Sequence, residues 1–400
     1  MNHRQSFILH QAQTTNFPLM LEIAYADGNY LVDISGRRYL DLISGISVSH
    51  LGHGNEAVKT AIIGQLNKHQ HVMVYGEFIQ SAQTELVDSL TALLPSNLDS
   101  VYLLNSGAEA TDVALKLAKR VTGRTEIIAF KNAYHGSTHA ALSLNSEEYY
   151  KQAFRPLLPG VRFLDFNDII GLNQVNENTA CVVCEVVQGE AGYIPANPDF
   201  LSALRKKCDE TGALLVFDEI QSGMGKTGKM FAFEHYIVLP DILLLGKALG
   251  AGMPIGAVVS SRNNMMLFAD NPILGHITTF GGHPVVAAAA NAGIKELVRT
   301  ELIPLVDKKE QLFRELLKHQ SIKAISGKGL MLAIELDNFD NTLLVIQKCL
   351  TRGLITDWFL FASNRIRIAA PLTISEVEIR EACYIITGAL DEVYAVAYSS

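Results

Sequence analysis

Two short apolar runs in this chain end in residues that can do chemistry. Leu214-Leu215-Val216-Phe217 runs into Asp218-Glu219, and Ile242-Leu243-Leu244-Leu245 runs into Gly246-Lys247. Open parallel sheets gather ligands outside the carboxyl ends of their strands, so two such strands deliver an acid and an amine to one rim. A lysine that is partly desolvated there and set near other charges becomes a usable nucleophile and proton carrier. A third feature is the Asn105-Ser106-Gly107 turn that follows Val101–Leu104. Free N–H groups and the dipole at a helix start favour an anion such as phosphate. Acid, lysine and anion cradle together are what pyridoxal 5'-phosphate (PLP) requires: an acid for the pyridinium nitrogen, a lysine for the aldehyde and a cradle for the phosphate. Taken singly, each reads more simply as a surface lysine or an ordinary turn. Their occurrence in one sheet carries the inference.

The elements that must position these groups are visible in the pattern. Short buried-looking runs alternate with longer helix-periodic stretches, as parallel βαβ units do. Strands are expected at Val101–Leu104, Ile127–Phe130, Val182–Val187, Leu214–Phe217, Ile242–Leu245 and Ala257–Val259. From Ala108 onward, Ala110, Val113, Ala114 and Leu117 share one helical face, so the Ser-Gly turn opens a helix. The C-terminal part changes to a smaller α+β lobe, with strands at Met331–Leu336 and Arg365–Ile368 and a helix ending near Gly353. A capping box from Ser375 to Glu378 starts a last helix whose stripe of Ile379, Ala382, Cys383, Ile386, Leu390 and Val393 must dock. Gly28–Asp33 and Gly36–Asp41 read as a hairpin outside the main sheet. No repeat or low-complexity linker is visible, so the lobes should be tightly joined.

Composition narrows the function classes. The 400 residues are 48% hydrophobic and 18% charged, which suits a globular protein of about two or three domains, and the net charge of −8 disfavours nucleic acid or an anionic membrane as partner. Met1 to Phe17 holds only Phe7, Ile8 and Leu9 as consecutive apolar residues, without a signal-peptide stretch, and no segment approaches the ~18 apolar residues of a membrane span. Five scattered cysteines argue for a reducing compartment, and we expect a cytoplasmic protein. Cys181-Val-Val-Cys184 lies in an apolar run and reads as buried structural thiols. The twelve histidines lack metal-ligand spacing, and no metal site is expected.

At this point the residues resemble a family. Asp218-Glu219-Ile220-Gln221-Ser222-Gly223-Met224-Gly225-Lys226-Thr227-Gly228, followed by Leu245-Gly246-Lys247-Ala248-Leu249-Gly250, looks like the class III aminotransferases, the ornithine/acetylornithine or ω-aminotransferase group. The resemblance extends to Asn105 through Ala110, Tyr134-His135-Gly136, Glu185 through Gly192, Thr278 through Gly282, and Arg367 through Leu372, in family order over nearly the whole chain. It implies an α/β, fold type I PLP-dependent transferase: a large domain with a mostly parallel seven-stranded sheet between helices, plus a smaller α+β domain. Residues 1–50 would join the small domain, 51–295 form the large PLP-binding domain, and 296–400 form the C-terminal small domain. The implied activity is transfer of an amino group from an amine or ω-amino acid to a 2-oxo acid, 2-oxoglutarate above all, in amino-acid metabolism.

By the same resemblance, Lys247 bonds the cofactor's aldehyde and later shuttles the proton, while Asp218 keeps the ring nitrogen protonated. Ser106, Gly107 and Ala108 would hold the phosphate, Tyr134 would stack on the ring, and Glu185 belongs to the cofactor site. Gln221 would lie near the phenolic oxygen. Thr279 matches a threonine that reaches the neighbouring subunit's cofactor, which implies a homodimer with shared active sites. Glu190 and Arg367 match a gate: closed, it neutralises the arginine for an amine donor; open, Arg367 grips the α-carboxylate of glutamate or 2-oxoglutarate bidentately. Ser137 departs from the arginine that many relatives place after His-Gly to bind the donor's carboxylate, Lys226 replaces the usual arginine, and Val186 replaces a common proline.

Three rival readings stand beside this one. Gly223-x-Gly225-x-x-Gly228 matches the dinucleotide fingerprint formally, but polar residues intervene after the strand and no helix pattern begins at the third glycine. Another PLP reaction, such as an aminomutase, racemase or decarboxylase, remains the alternative, because fold and cofactor do not fix the reaction. A non-catalytic relative sits badly with the retention of both Lys247 and Asp218.

Overall fold

The computed structural model describes residues 2–397; Met1 and residues 398–400, at the two ends of the expected domain ranges, lie outside the described residues. Its centre is a seven-stranded sheet. In spatial order the strands are Ser100–Leu104, Gly256–Ser260, Ile242–Gly246, Leu214–Asp218, Thr179–Glu185, Glu126–Phe130 and Val161–Leu164. Gly256–Ser260 pairs antiparallel with both its neighbours and the remaining pairs are parallel. Six strands therefore run one way, and the sheet is mostly parallel as expected.

Alternation explains why these strands read as continuous apolar runs: both faces are covered. Leu215, Phe217, Leu243 and Leu245 pack into the core on one face, and Val216, Ile242 and Leu244 into the core on the other. The helix Gly107–Thr122 lies on the second face, burying Val113, Ala114 and Leu117 against Ile127, Val183 and Val258. Its alanines let it approach the sheet closely. Cys181 and Cys184 fall on opposite faces, fully buried, so they cannot pair, and burial pushes the Cys181 thiol up to about 12. The strand expected at Val182–Val187 runs instead from Thr179 to Glu185. Beyond it the chain leaves the sheet, and Val187–Gln188 pairs with Ile194–Pro195.

Two smaller sheets flank the centre. Ile23–Asp27, Tyr30–Asp33 and Arg38–Asp41 form an antiparallel ribbon whose last strand pairs in parallel with Leu354–Ile355. The hairpin was legible from its turn, where Asp33 Oδ1 accepts from the Ser35 and Arg37 N–H groups, whereas the preceding strand, Ile23–Asp27, is apolar in sequence but faces solvent for most of its length and was not read. The third sheet orders Ala324–Lys328, Met331–Glu335, Ala362–Ile368 and Trp358–Phe359, all antiparallel. Helices Phe339–Thr351 and Glu376–Ala397 pack together beside it. The expected capping box is present: Ser375 Oγ accepts from the Glu378 N–H, and Glu378 Oε2 accepts from the Ser375 N–H.

Candidate active site

Strand register aligns the reactive groups. Asp218 is level with Glu185 on one neighbouring strand, and Gly246 with Gly256, which is itself level with Leu104. The three chemistry-bearing loops therefore leave one rim. Lys247 follows Gly246 directly and sits at φ +44°, a left-handed conformation that is costly for a side chain and tends to persist where the surroundings enforce it. It aims into a cavity of about 310 Å³ lined also by Gly107, Ala108, Tyr134, Asp218 and Gln221. Among the described residues none hydrogen-bonds or pairs with Lys247 Nζ. Burial pulls its amine below the ordinary value, with Asp218, Glu190 and Glu185 opposing.

The turn opens a helix, Gly107–Thr122, as predicted. Ser106 caps the helix, its Oγ accepting from Glu109 N at 3.2 Å while Glu109 Oε2 accepts from Asn105 N at 2.8 Å. Gly107 and Ala108, whose N–H groups fall in the helix's first turn at the positive end of the dipole, line the cavity. The turn is tightly seated. A Cβ on Gly256 would lie 2.0 Å from the Ser106 carbonyl, and one on Gly136, which has φ +128°, would lie 2.4 Å from Ala108 Cβ.

On the opposite wall, Asp218 is a buried carboxylate held from two sides. Its Oδ1 accepts from Ile220 N at 2.9 Å and its Oδ2 from His135 Nδ1 at 2.6 Å. Burial alone would lower the His135 pKa, but Asp218 outweighs it and holds the imidazole above its ordinary value. His135 Nε2 is buried without a partner. Glu185 spends both oxygens on backbone donors, Gly189 N at 2.9 Å and Tyr134 N at 3.2 Å, and burial pushes its carboxyl up. It thus shapes the wall around Tyr134, whose hydroxyl meets Ser137 Oγ at 3.2 Å.

Gln221 lines the cavity and donates through Nε2 to Tyr193 Oη at 3.1 Å, which in turn accepts from Arg367 Nη1 at 3.4 Å. Arg367 pairs with Glu190, Nη2 to Oε2 at 2.9 Å. Burial would raise the Glu190 pKa, but the guanidinium overrides it and holds the carboxyl below its ordinary value. A second carboxylate, Asp357, binds Arg367 Nε at 2.8 Å. Four expected residues are not among those lining the cavity: the Ser106 side chain serves its helix, Thr279 lies exposed, and the Glu190–Arg367 pair connects to the lining through Tyr193 and Gln221. Lys226 is fully buried, its Nζ donating to the carbonyls of Ala369 and Ala370 just beyond Arg367. No helix begins at Gly228, so the glycine run is no dinucleotide fingerprint. Among the described residues no group of three or more His, Cys, Asp or Glu is placed to hold a metal ion.

Sequence reasoning missed three participants. His135 lay inside a quoted motif, but 83 positions separate it from Asp218. Tyr193 is a fully buried tyrosine at φ +51° beside a glycine motif. Asp357 belongs to no motif.

A buried lysine, a buried carboxylate and two free helix N–H groups around one cavity match the aldehyde, ring nitrogen and phosphate of PLP. Fold and site define the class: a PLP-dependent enzyme on the fold type I scaffold. Residues 11–390 match the family model described as aminotransferase class-III, and the chain belongs to that family. It is 41% identical over 369 residues to the acetylornithine aminotransferase of Bacillus subtilis, spanning 90% of this chain and 93% of that one. It is 40% identical over 322 residues to the [LysW]-aminoadipate semialdehyde/glutamate semialdehyde transaminase of Sulfurisphaera tokodaii, spanning 79% of this chain and 82% of that one. The solved ornithine aminotransferase of Toxoplasma gondii, which has PLP in its active site, superposes with TM-score 0.90 at 29% identity, covering 98% of this chain and 94% of that one. The chain is an enzyme, a transaminase that moves an amino group between an amino donor and a 2-oxo acid.

Proposed function

We propose that this enzyme takes its amino group from an ω-amino acid or related amine and delivers it to 2-oxoglutarate, with Lys247 and Asp218 as the catalytic pair. The observation that carries this is their placement on one cavity whose far end is the free start of the Gly107–Thr122 helix. Bound PLP supplies an aldehyde that exchanges amines and a ring that accepts the electron pair released at carbon. Lys247 would hold that aldehyde through Nζ, and burial, which lowers its pKa against Asp218, Glu190 and Glu185, favours the neutral amine that takes and returns the substrate's proton. Asp218 holds a proton on the ring nitrogen, supported by His135. Gly107 and Ala108 bind the phosphate through their N–H groups, and Ser106 fixes that turn by capping the helix. Tyr134, its backbone held by Glu185, would cover a ring face, and Gln221, which lines the same cavity, would lie near the phenolic oxygen.

Glu190 and Arg367 act as the gate. With the pair closed, the guanidinium charge is masked and an amine-bearing end can enter; when Glu190 yields, Arg367 receives the carboxylate of glutamate or 2-oxoglutarate. The exposed Thr279 fits a reach into a second subunit, and we read the protein as a cytoplasmic homodimer with shared sites. We likewise assign residues 1–50 and 296–400 to one small domain and 51–295 to the large one, in keeping with the pairing of Arg38–Asp41 with Leu354–Ile355.

Relatives named for acetylornithine, ornithine and aminoadipate semialdehyde set the donor class to try. A panel of these donors and simple diamines, with 2-oxoglutarate as acceptor and glutamate as readout, tests the proposal. Equimolar glutamate with ping-pong kinetics is expected. Conversion of a donor beyond one equivalent per active site without any 2-oxo acid would contradict it.

A further inference from the structure

The turn from Asp357 to Phe361 grips both members of the gate. Arg367 is tied to it four ways: its backbone N–H donates to the Asp357 carbonyl at 2.8 Å, Nε donates to Asp357 Oδ1 at 2.8 Å, Nη2 donates to the Trp358 carbonyl at 3.2 Å, and the guanidinium lies 4.2 Å from the centre of the Phe359 ring. Glu190 is tied more lightly. Its Oε2 accepts from Leu360 N at 3.1 Å and its backbone carbonyl from Phe361 N at 3.1 Å.

We propose that Asp357 is a positioning residue that fixes Arg367 in place while Glu190 is exchanged for the carboxylate of the acceptor. This rests on the reading of Arg367 as the acceptor's carboxylate site. An arginine offers five donors in a rigid planar fork, and two neighbouring ones must face the incoming carboxylate together. Here Nε is occupied by Asp357, and Tyr193 holds Nη1 only loosely at 3.4 Å. Glu190 therefore vacates a hydrogen of Nη2, beside the loosely held Nη1, on a fork that Asp357 and the Trp358 carbonyl keep oriented. Without Asp357 the fork could turn about its side chain to follow Glu190, and part of the acceptor's binding energy would be lost in reorienting it.

Charge supports the same role. The buried guanidinium lies between two carboxylates, so replacing Glu190 by a substrate carboxylate leaves the local count unchanged. Asp357 is the constant member. The device is absent from the motifs that carry the family resemblance, and it depends on the short Trp358–Phe359 strand turning back onto Ala362–Ile368.

The test compares Asp357→Ala, Asp357→Asn and Arg367→Ala in the PLP-loaded enzyme. Loss of one charge-assisted hydrogen bond should raise the KM for 2-oxoglutarate about tenfold or more in Asp357→Ala. The rate of the single-turnover donor half-reaction should stay within about twofold, because the donor meets the gate closed. Asp357→Asn keeps an oxygen for Nε and should recover most of the loss. Glutarate, an unreactive dicarboxylate, should show the same order of affinities by calorimetry. The inference fails if Arg367→Ala weakens 2-oxoglutarate and glutarate while Asp357→Ala does not, or if Asp357→Asn is as impaired as Asp357→Ala. If Arg367→Ala alters neither ligand, the carboxylate-site reading falls instead.

Discussion

Replacing Glu190 by Gln removes the gate's competing anion while keeping its shape. The pair is nearly dry, with side-chain exposures of 2% for Arg367 and 8% for Glu190, so the charge change acts at low dielectric. Breaking a buried ion pair typically costs about 3–5 kcal/mol because the surviving charge is left uncompensated. Here it is compensated, since Asp357 stays on Nε and the Trp358 carbonyl on Nη2. The relevant scale is therefore one charge-assisted hydrogen bond, about 1.5–3 kcal/mol, or roughly ten- to 150-fold in an equilibrium. The sign differs between half-reactions. Glutamate and 2-oxoglutarate no longer have to displace a carboxylate, so their KM should fall. An amine-bearing donor loses the attraction of the Glu190 carboxylate beside a guanidinium that Asp357 still balances, so its kcat/KM should fall. The assay is the two half-reactions measured separately by the change in cofactor absorbance, with their ratio shifting by at least about tenfold toward the oxo acid. Equal changes in both, or a ratio shifted toward the amine, would refute the gate.

Two further outcomes follow from buried groups. Asp218→Asn keeps the hydrogen-bonding shape beside His135 but loses the charge at 2.6 Å from it, and turnover should drop by roughly a hundredfold or more while thermal unfolding shows a folded protein; retention of full kcat would remove Asp218 from the chemistry. Burial lowers the Lys226 pKa from the ordinary 10.5 to about 7, against the pull of Asp41. Between those values the unfolded chain holds a proton that the folded chain releases, so stability should rise with pH from about 7 to about 10.5. At about 1.4 kcal/mol per unit the window is worth on the order of 5 kcal/mol at most, less whatever the two carbonyl acceptors return to the ammonium form. The difference between wild type and Lys226→Met in urea midpoints across that range should carry this slope, and parallel profiles would contradict it.

The rim chemistry was legible because a parallel strand buried on both faces ends abruptly, so the first polar residue after it must lie at the ligand edge. Asp218, Lys247 and the Ser106 turn were readable in that way. The helix after Ser106 was readable from its stripe and its cap. Other features were set by contacts between distant segments. Val182–Val187 looks like one strand, yet it ends at Glu185, whose carboxylate turns to the Tyr134 and Gly189 N–H groups and takes the chain out of the sheet. Val161–Leu164 closes the sheet edge with a short, half-buried strand that no alternation marks. His135 and Asp357 gain meaning only from the partners folding brings to them, Asp218 and Arg367. The four successive left-handed residues Ser44 to Ser47, with Ser44 N held by Asp41 Oδ1, carried no sequence signal beyond one glycine.

The account depends most on Lys247 being the residue that bonds the cofactor. Reducing the PLP-loaded protein with borohydride and mapping the pyridoxyl label by peptide mass spectrometry tests this directly. The label should fall on the peptide containing Lys247 and be absent from Lys247→Ala. A label on a different lysine, or undiminished labelling in Lys247→Ala, would contradict the central claim.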